Sequence, residues 1–596
     1  MNIVVSAEGI VSAIGNNKAE VLQSLLLQRS GIGEMRYLNS VHKELPVGEV
    51  KLSNAEMKHI LNIPADKEMS RTSLMGIMAI SQFADTLSAA KNKSTAANGN
   101  LEFAPRIVLV SGTTVGTMDL TEQHYENFMQ ESDVSYFRYH SCGGSTQCMA
   151  DYFGIFSDVT TVSTACSSAA NAIILGANMI KAGKADIVVA GGSEALSRFH
   201  LNGFNALMIL DKEQCRPFDA TRAGLNLGEG AAFVVLESEE HAKRRGAEIH
   251  AYLTGYGNAC DAFHQTASSE DGQGAYLAMQ EALAMANLEP QDIQYVNAHG
   301  TGTPNNDQSE SMALKRLFGN DMPLVSSTKS FTGHTTSASG SIETVICLLA
   351  MKNGFVPANL GWNVQMADGI TPTLGKDEAE LHNVVCNSFG FGGNDSSLIL
   401  SSSPTNTAEA NESNGRKEIK ELSRVEITTE DELAAIRNYV KPIEARRLGK
   451  LMKSSLLSSL RALEEAGIDK PDAIITGTAY GNLNNTERML DHICDEGEET
   501  VSPTYFMQST HNTIGSNIAI RLKCHGYNST YSQCAQSLEW AIRDAKLLLQ
   551  SGKCRTVLVG THDETTPRLK AMLEKAGMPV PDYDIHSIAI VLSCGE

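Results

Sequence analysis

Thr161–Gly176 reads T-V-S-T-A-C-S-S-A-A-N-A-I-I-L-G, and Thr530–Ala545 rewrites it as T-Y-S-Q-C-A-Q-S-L-E-W-A-I-R-D-A. One constant offset pairs Ser163 with Ser532, Ser168 with Ser537, Ala172 with Ala541 and Ile173 with Ile542. It continues without a gap through Gly183-Lys184 and Gly552-Lys553, Val188 and Val557, and Gly191 and Gly560. An internal repeat of this kind is a repeated structural unit, and it decides the architecture before any local feature does. At one aligned position the copy loses its chemistry: Cys166 faces Ala535. The chain therefore reads as an enzyme carrying a second, disarmed copy of part of itself.

A length of 596 residues exceeds one hydrophobic core and suggests three or four units of roughly 150 residues. With 42% hydrophobic and 20% charged residues, the composition is that of a soluble globular protein. The net charge of -21 argues against general binding to nucleic acid or anionic membrane, while leaving room for a local basic patch. The N-terminal M-N-I-V-V-S-A-E-G-I lacks the basic and apolar regions of a signal peptide. No run approaches the roughly 18 apolar residues of a membrane span. The 12 cysteines include no C-x-x-C pair, which disfavours structural zinc and a disulfide framework and fits a reducing cytoplasm.

From 1 to 250 short apolar strands alternate with longer amphipathic stretches. Ile107–Ser111 and Ile187–Ala190 are expected as buried strands, with a helix from Cys166 to Gly183 between them, and Ala231–Leu236 closes the unit. A second alternation runs from 251 to 402, with strands such as Gln294–Ala298 and Leu324–Thr328 and helices at Gly274–Ala286 and Ser339–Lys352. Such alternation predicts an α/β class with largely parallel sheets. Residues 403–420 read as a linker, since Ser401–Asn414 is polar and contains Pro404. Fully extended, the fourteen residues Ser401–Asn414 reach at most about 50 Å, enough to fold a third unit back over the first. That third unit, 421–596, repeats I-V-L-V-S-G-T-T-V-G as A-I-I-T-G-T-A-Y-G and has no counterpart of 251–402.

Cys166 falls where a strand meets a helix rich in small residues. A helix N-terminus favours thiolate, although a buried core cysteine is an equally available reading of Cys166 alone. Two further motifs change the balance. His299 opens H-G-T-G-T-P after the strand Q-Y-V-N-A, and His334 lies in S-S-T-K-S-F-T-G-H-T-T-S with Lys329 shortly before it. Strand ends of α/β proteins face the ligand crevice. N-S-F-G-F-G-G-N-D, Asn387–Asp395, supplies a glycine-rich turn suited to oxyanion binding.

At these residues, with R-P-F-D (Arg216–Asp219), G-L-N-L-G-E-G (Gly224–Gly230) and C-D-A-F-H (Cys260–His264), the chain resembles the β-ketoacyl-acyl-carrier-protein synthases of the KAS I/II type over residues 1–402. The resemblance implies a thiolase fold, two similar halves in α-β-α-β-α layers, plus a third half-thiolase unit. It implies Cys166 as nucleophile, His299 and His334 as the catalytic pair, Lys329 and Glu310 in support, and Phe391 as gatekeeper. Decarboxylative condensation of malonyl- and acyl-carrier protein would need no metal or organic cofactor. Degradative thiolases would place a second cysteine at the Phe389–Gly393 turn, and KAS III and chalcone-synthase enzymes use Cys-His-Asn; the chain favours Cys-His-His. It departs from the family at Gly392-Gly393-Asn394-Asp395, where G-G-T-N is usual, and at Thr335-Thr336-Ser337, where small residues are usual. Lys67 and Arg71 lie where the family's carrier-protein docking patch falls, with ordinary solvated charge as the alternative.

The third unit resembles only the N-terminal half of the same fold. It is similar to a truncated chain-length factor, of the sort associated with aryl polyene and dialkylresorcinol or flexirubin-type pathways. That implies an intrachain pseudo-heterodimer whose third unit shapes the acyl tunnel, with Pro503–Gly515 as an interface segment. A decayed duplication that only stabilises is the other reading. A malonyl decarboxylase, or a non-elongating scaffold for carrier protein, is the functional alternative for the whole chain. A slide of one residue would align Cys534 with Cys166, but the G-K-A-D-I-V-V-A-G and G-K-C-R-T-V-L-V-G spacing disfavours it.

Overall fold

The structure is a computed structural model that describes residues 1–92, 104–405, 418–498 and 501–595. Most of the expected linker, 406–417, lies outside the described residues; Ile419 and Lys420, expected in it, already pair in a strand. In chain order the strands are β1 Ile3–Ser12, β2 Ile107–Gly112, β3 Asp158–Val162, β4 Ile187–Glu194, β5 Gly230–Ser238, β6 Ala251–Cys260, β7 Tyr295–Asn297 and β8 Leu324–Ser326. They continue as β9 Asn383–Gly390, β10 Asn394–Ser401, β11 Ile419–Ile427, β12 Ala473–Gly477, β13 Asn528–Tyr531, β14 Thr556–Glu564 and β15 Ile585–Cys594. Among the described residues these form one hydrogen-bonded series, β11-β15-β14-β12-β13-β3-β2-β4-β5-β1-β6-β10-β9-β7-β8.

The expectation of largely parallel sheets is only half met. Parallel pairs occur in β3-β2-β4, in β9-β7-β8 and in β13-β12-β14. Between the first two blocks, β4-β5-β1-β6-β10-β9 pair antiparallel. Parallel pairing needs a crossover of a dozen or more residues, whereas β9 and β10 are joined by a tight turn and must run opposite ways. β1 pairs along its length with β5 but meets β6 only at Val4↔Tyr252 and Val5↔Ala251, so the first and second sheets hinge there.

Two helices, Ser168–Lys181 and Ser339–Asn353, pack against strands of both sheets and are buried around most of their circumference. A helix apolar on all sides has no solvent face, so it must occupy the middle of a layered core. Small residues at their starts make this close approach available: a Cβ at Gly340 would press on Ala170. These helices form the central layer of a thiolase fold, and each begins at the turn that carries the chemistry.

The third unit repeats the first strand by strand. β11-β15-β14-β12-β13 matches β1-β5-β4-β2-β3, so the ten-strand run reads the same from either end. The two blocks meet antiparallel at Val162↔Tyr531, which are also aligned positions of the repeat. Ser163 N–H donates to the Thr530 carbonyl at 2.8 Å, and Ser532 N–H returns the bond to Thr161 at 3.0 Å. Equivalent residues exchanging equivalent bonds define a local two-fold axis, the signature of an isologous dimer interface, here within one chain. Side chains extend the junction: Arg543 pairs with Asp158 at 2.5 Å and Lys553 with Glu281 at 2.7 Å.

Gly143 faces this junction, and a Cβ there would overlap the Ser532 carbonyl oxygen while its own φ of -72° suits any residue. Gly143→Ala is therefore expected to cost about 1–3 kcal/mol by overpacking. Hydrogen exchange should accelerate across 418–595 and β3 before the rest of the chain. Unchanged exchange in both would contradict this docking.

Candidate active site

Cys166 lies in the tight turn Ala165–Ser167 that ends β3 and leads into the Ser168–Lys181 helix. Ala165 is held at φ 51°, a left-handed conformation that costs energy for a residue with a Cβ. The same conformation recurs at Thr336 (φ 45°) and at Cys534 (φ 48°), which begin the corresponding turns of the second half and the third unit. The local hydrogen bonds recur too. Ser168 Oγ donates to the Ala165 carbonyl at 2.6 Å and accepts from Thr164 N–H at 2.9 Å. Ser537 Oγ donates to the Cys534 carbonyl at 2.7 Å and accepts from Gln533 N–H at 2.9 Å. The structure thus pairs Cys534 with Ala165 and places Ala535 where Cys166 stands.

The two turns differ in what covers them. Cys166 is buried beneath the β9–β10 turn, whereas Cys534, Ala535 and Gln536 are exposed. His334 Nε2 is 3.1 Å from Cys166 Sγ, and its Nδ1 is 3.0 Å from Ser339 Oγ. The His299 and His334 rings lie 5.3 Å apart at 83°, and one donor atom from each lies within 4.8 Å of the others and of the sulfur.

Burial pushes both imidazoles well below their ordinary pKa, and the nearby Lys329 charge adds to the effect. Both histidines are therefore neutral and able to donate a hydrogen bond. Lys329 is itself buried and ion-paired with Glu343 at 2.5 Å. Burial raises Glu343 to about 7 against the opposing Lys329 charge. Sequence reasoning missed Glu343. Its signal was a lone acid in an otherwise apolar helix, where an unpaired charge would be prohibitive. Glu310 accepts from His299 N–H at 2.8 Å and Gly300 N–H at 2.7 Å, so it fixes the backbone that carries His299.

The backbone N–H groups of Phe391 and Cys166 favour negative charge on the sulfur, against the effect of burial. The Phe391 ring stacks on Phe204 at 5.6 Å and 21°. Around these groups lies a cavity of about 370 Å³, lined by Cys166, Phe204, His299, His334, Phe389 and Phe391 among others. Of the departures from the family motifs, Asn394 bonds to Asn512 and Asn528 of the third unit, and Ser337 Oγ donates to Glu194 at 2.5 Å.

Two expectations are corrected. The helix N-terminus was expected to favour thiolate, but burial outweighs it and pushes the Cys166 thiol up to about 12, opposed by Lys329 and the Phe391 and Cys166 N–H groups. Arg71, expected on a docking surface, is buried. Its guanidinium grips Glu229 at 2.6 Å and bonds to Val50, Leu52 and Asn54, so it holds the fold together. Lys67 is exposed.

A thiolase fold with a buried Cys-His-His trio defines a condensing acyltransferase class. Residues 1–242 match the model of the β-ketoacyl synthase N-terminal domain and 250–363 that of its C-terminal domain. The chain belongs to the β-ketoacyl synthase family. Residues 420–595 match a further model of the N-terminal domain. The chain is 32% identical over 418 residues to 3-oxoacyl-[acyl-carrier-protein] synthase 2 of Vibrio cholerae, covering 67% of this chain and 98% of that one. It is 31% identical, with a TM-score of 0.58, to a chain of the complex of the ketosynthase ApeO with its chain length factor ApeC from Xenorhabdus doucetiae; 67% of this chain and 98% of that one are covered. A structure described as the PfaC keto synthase-chain length factor covers 100% of this chain and 78% of its own at a TM-score of 0.75; at 16% identity the likeness is one of fold.

The thiol's environment sets a pH profile. With the folded thiol near 12, the thiolate fraction grows with pH and alkylation of Cys166 by iodoacetamide should keep rising roughly tenfold per unit to beyond pH 9. A plateau below pH 8 would show a stabilised thiolate instead.

Proposed function

We propose that the chain catalyses decarboxylative Claisen condensation between malonyl-carrier protein and an acyl group held on Cys166. The observation that carries this reading is the Cys166 Sγ to His334 Nε2 distance of 3.1 Å beside a second neutral, buried imidazole. In the first step the Cys166 sulfur attacks an acyl-carrier thioester, a new thioester forms, and the thiol proton leaves with the departing carrier thiol. The N–H groups of Phe391 and Cys166, which favour negative charge on the sulfur, are assigned to the oxyanion of that step. In the second step malonyl thioester loses CO2, and the electron pair of the broken C–C bond becomes an enolate. Two neutral imidazole donors suit that enolate oxygen, where cationic ones would be costly to bury. The carbanion then attacks the acyl carbonyl, the C–S bond breaks, and the Cys166 sulfur leaves as thiolate and takes one proton from water, which balances the carboxylate charge lost as neutral CO2. The product is a β-ketoacyl thioester longer by two carbons.

The third unit is assigned the role of pocket wall in a fatty-acid or polyene-type elongation. Phe506, from the expected interface segment, packs against Phe199, His200 and Phe204 with ring centroids 5.2 to 6.5 Å away. Phe506, Phe204 and Phe391 thus make a continuous aromatic path from the third unit to the site. A cavity of about 110 Å³ lies between Val115, Met118 and Phe199 of the first unit and Tyr480, Leu490 and His511 of the third. The likeness to ApeO with its chain length factor supports this assignment.

Intact-mass analysis after exposure to acyl-carrier proteins of increasing chain length tests the reading. One acyl group per chain is expected, lost in Cys166→Ala; acylation surviving at Cys534 would sink the assignment of the nucleophile. His299→Ala should lower condensation by about 10²–10³-fold while leaving acyl loading nearly intact, as loss of an oxyanion donor does.

A further inference from the structure

The third unit touches the reacting centre as well as the pocket. Asn512 precedes the Thr513–Leu522 helix of that unit and is buried. Its Nδ2 donates to the Phe391 carbonyl at 2.7 Å and to Asn394 Oδ1 at 2.8 Å. Both acceptors are oxygens on the turn that covers Cys166, so the amide nitrogen must face them. Ser516, one turn further along the helix, sits against Gly392 so closely that a Cβ there would overlap its Oγ, and it bonds to Asn394 Oδ1 at 3.3 Å. Asn528 adds a contact from its carbonyl and its side chain to Asn394 Nδ2, each at 3.2 Å. Gly392 N–H donates to the Gln265 carbonyl at 2.7 Å, and Gln265 Nε2 bonds to Asn517 Oδ1 of the third unit at 2.8 Å.

The turn therefore meets the third unit at Phe391, Gly392 and Asn394, while its other side lies on the nucleophile. A Cβ at Gly390 would stand 3.2 Å from Cys166 N and 2.8 Å from the Thr164 carbonyl oxygen. Gly392 (φ 83°) and Gly393 (φ 78°) are in the left-handed region, where the backbone has no side-chain packing of its own to hold it. The second half holds this glycine turn through the Gln265 carbonyl and through Asp261 N–H, which donates to the Gly393 carbonyl at 2.8 Å, and the third unit adds the anchors at Phe391 and Asn394.

We propose that Asn512 is a positioning residue for the condensation. By anchoring the Phe391 carbonyl and Asn394, it sets the Phe391 N–H assigned to the oxyanion, so a unit without a nucleophile completes the oxyanion site of the other. The inference rests on the function proposed above. A donor displaced by about 1 Å can cost a factor near 10² in rate. Asn512→Asp keeps the shape and replaces the donor with an acceptor facing a carbonyl; Asn512→Ser withdraws the donor.

Acyl transfer from hexanoyl-pantetheine to Cys166 can be timed by intact mass beside alkylation by iodoacetamide at pH 9, which forms no oxyanion. Both variants should lose about 10–100-fold in the maximal acylation rate. The thioester KM and the alkylation rate should stay within about twofold of the parent. Wild-type acylation rates in both variants would overturn the proposal. So would a parallel loss of acylation and alkylation, which would mark Asn512 as structural only. Failure of the parent chain itself to take the acyl group would instead refute the proposed function, and this inference with it.

Discussion

Two backbone hydrogen bonds, Ser163 N–H to Thr530 and Ser532 N–H to Thr161, hold the molecule's organisation. They join β3 to β13 edge to edge, and an edge strand left open is a standing invitation to pair with another chain. Closing it internally makes one continuous sheet of two related blocks. It also lies three residues before Cys166, so the junction and the nucleophile share one rigid strand end. The docking of the third unit and the geometry of the reacting centre are therefore not independent properties.

The three turns are copies of one design that differ in their surroundings. All three turns carry a residue in the same left-handed conformation, and those at Ala165 and Cys534 carry the same serine hydrogen bonds. Only the turn at Cys166 is roofed by the β9–β10 glycine turn and flanked by His299 and His334. Chemistry in this fold needs two halves facing each other, and the third unit has one. The third unit keeps the strand edge at Tyr531, sets Phe506 against Phe204, and places Asn512 and Ser516 against the roof.

Much of this was legible in the sequence, for physical reasons. A nucleophile at a strand-to-helix turn, and histidines at strand ends, are fixed by local backbone geometry that short motifs record. The gap-free repeat from Thr161 to Gly191 carries the alignment of Ala535 with Cys166 because a helix and two strands leave no room for insertions. The parallel character of the centre was overestimated, since strand direction depends on the length and path of each connection and apolar runs do not encode it. Arg71 was misplaced outside because charge alone does not reveal a buried partner, and Glu229 lies far along the chain. Glu343 and Asn512 escaped for a similar reason: their partners lie outside their own motifs, Lys329 in one case and the Phe391 carbonyl and Asn394 in the other. The thiol's raised pKa reflects burial by a distant turn, which no reading of the helix start could supply.

The most direct measurement of the central claim is a single-turnover assay on the purified full-length chain. Enzyme loaded with an acyl group on Cys166 is mixed with malonyl-carrier protein, and the carrier-bound product is weighed. The account predicts CO2 release matched one to one by a β-ketoacyl product two carbons longer, with Cys166 returned to the free thiol. Release of CO2 with acetyl-carrier protein as the product and the acyl group still on Cys166 would contradict it.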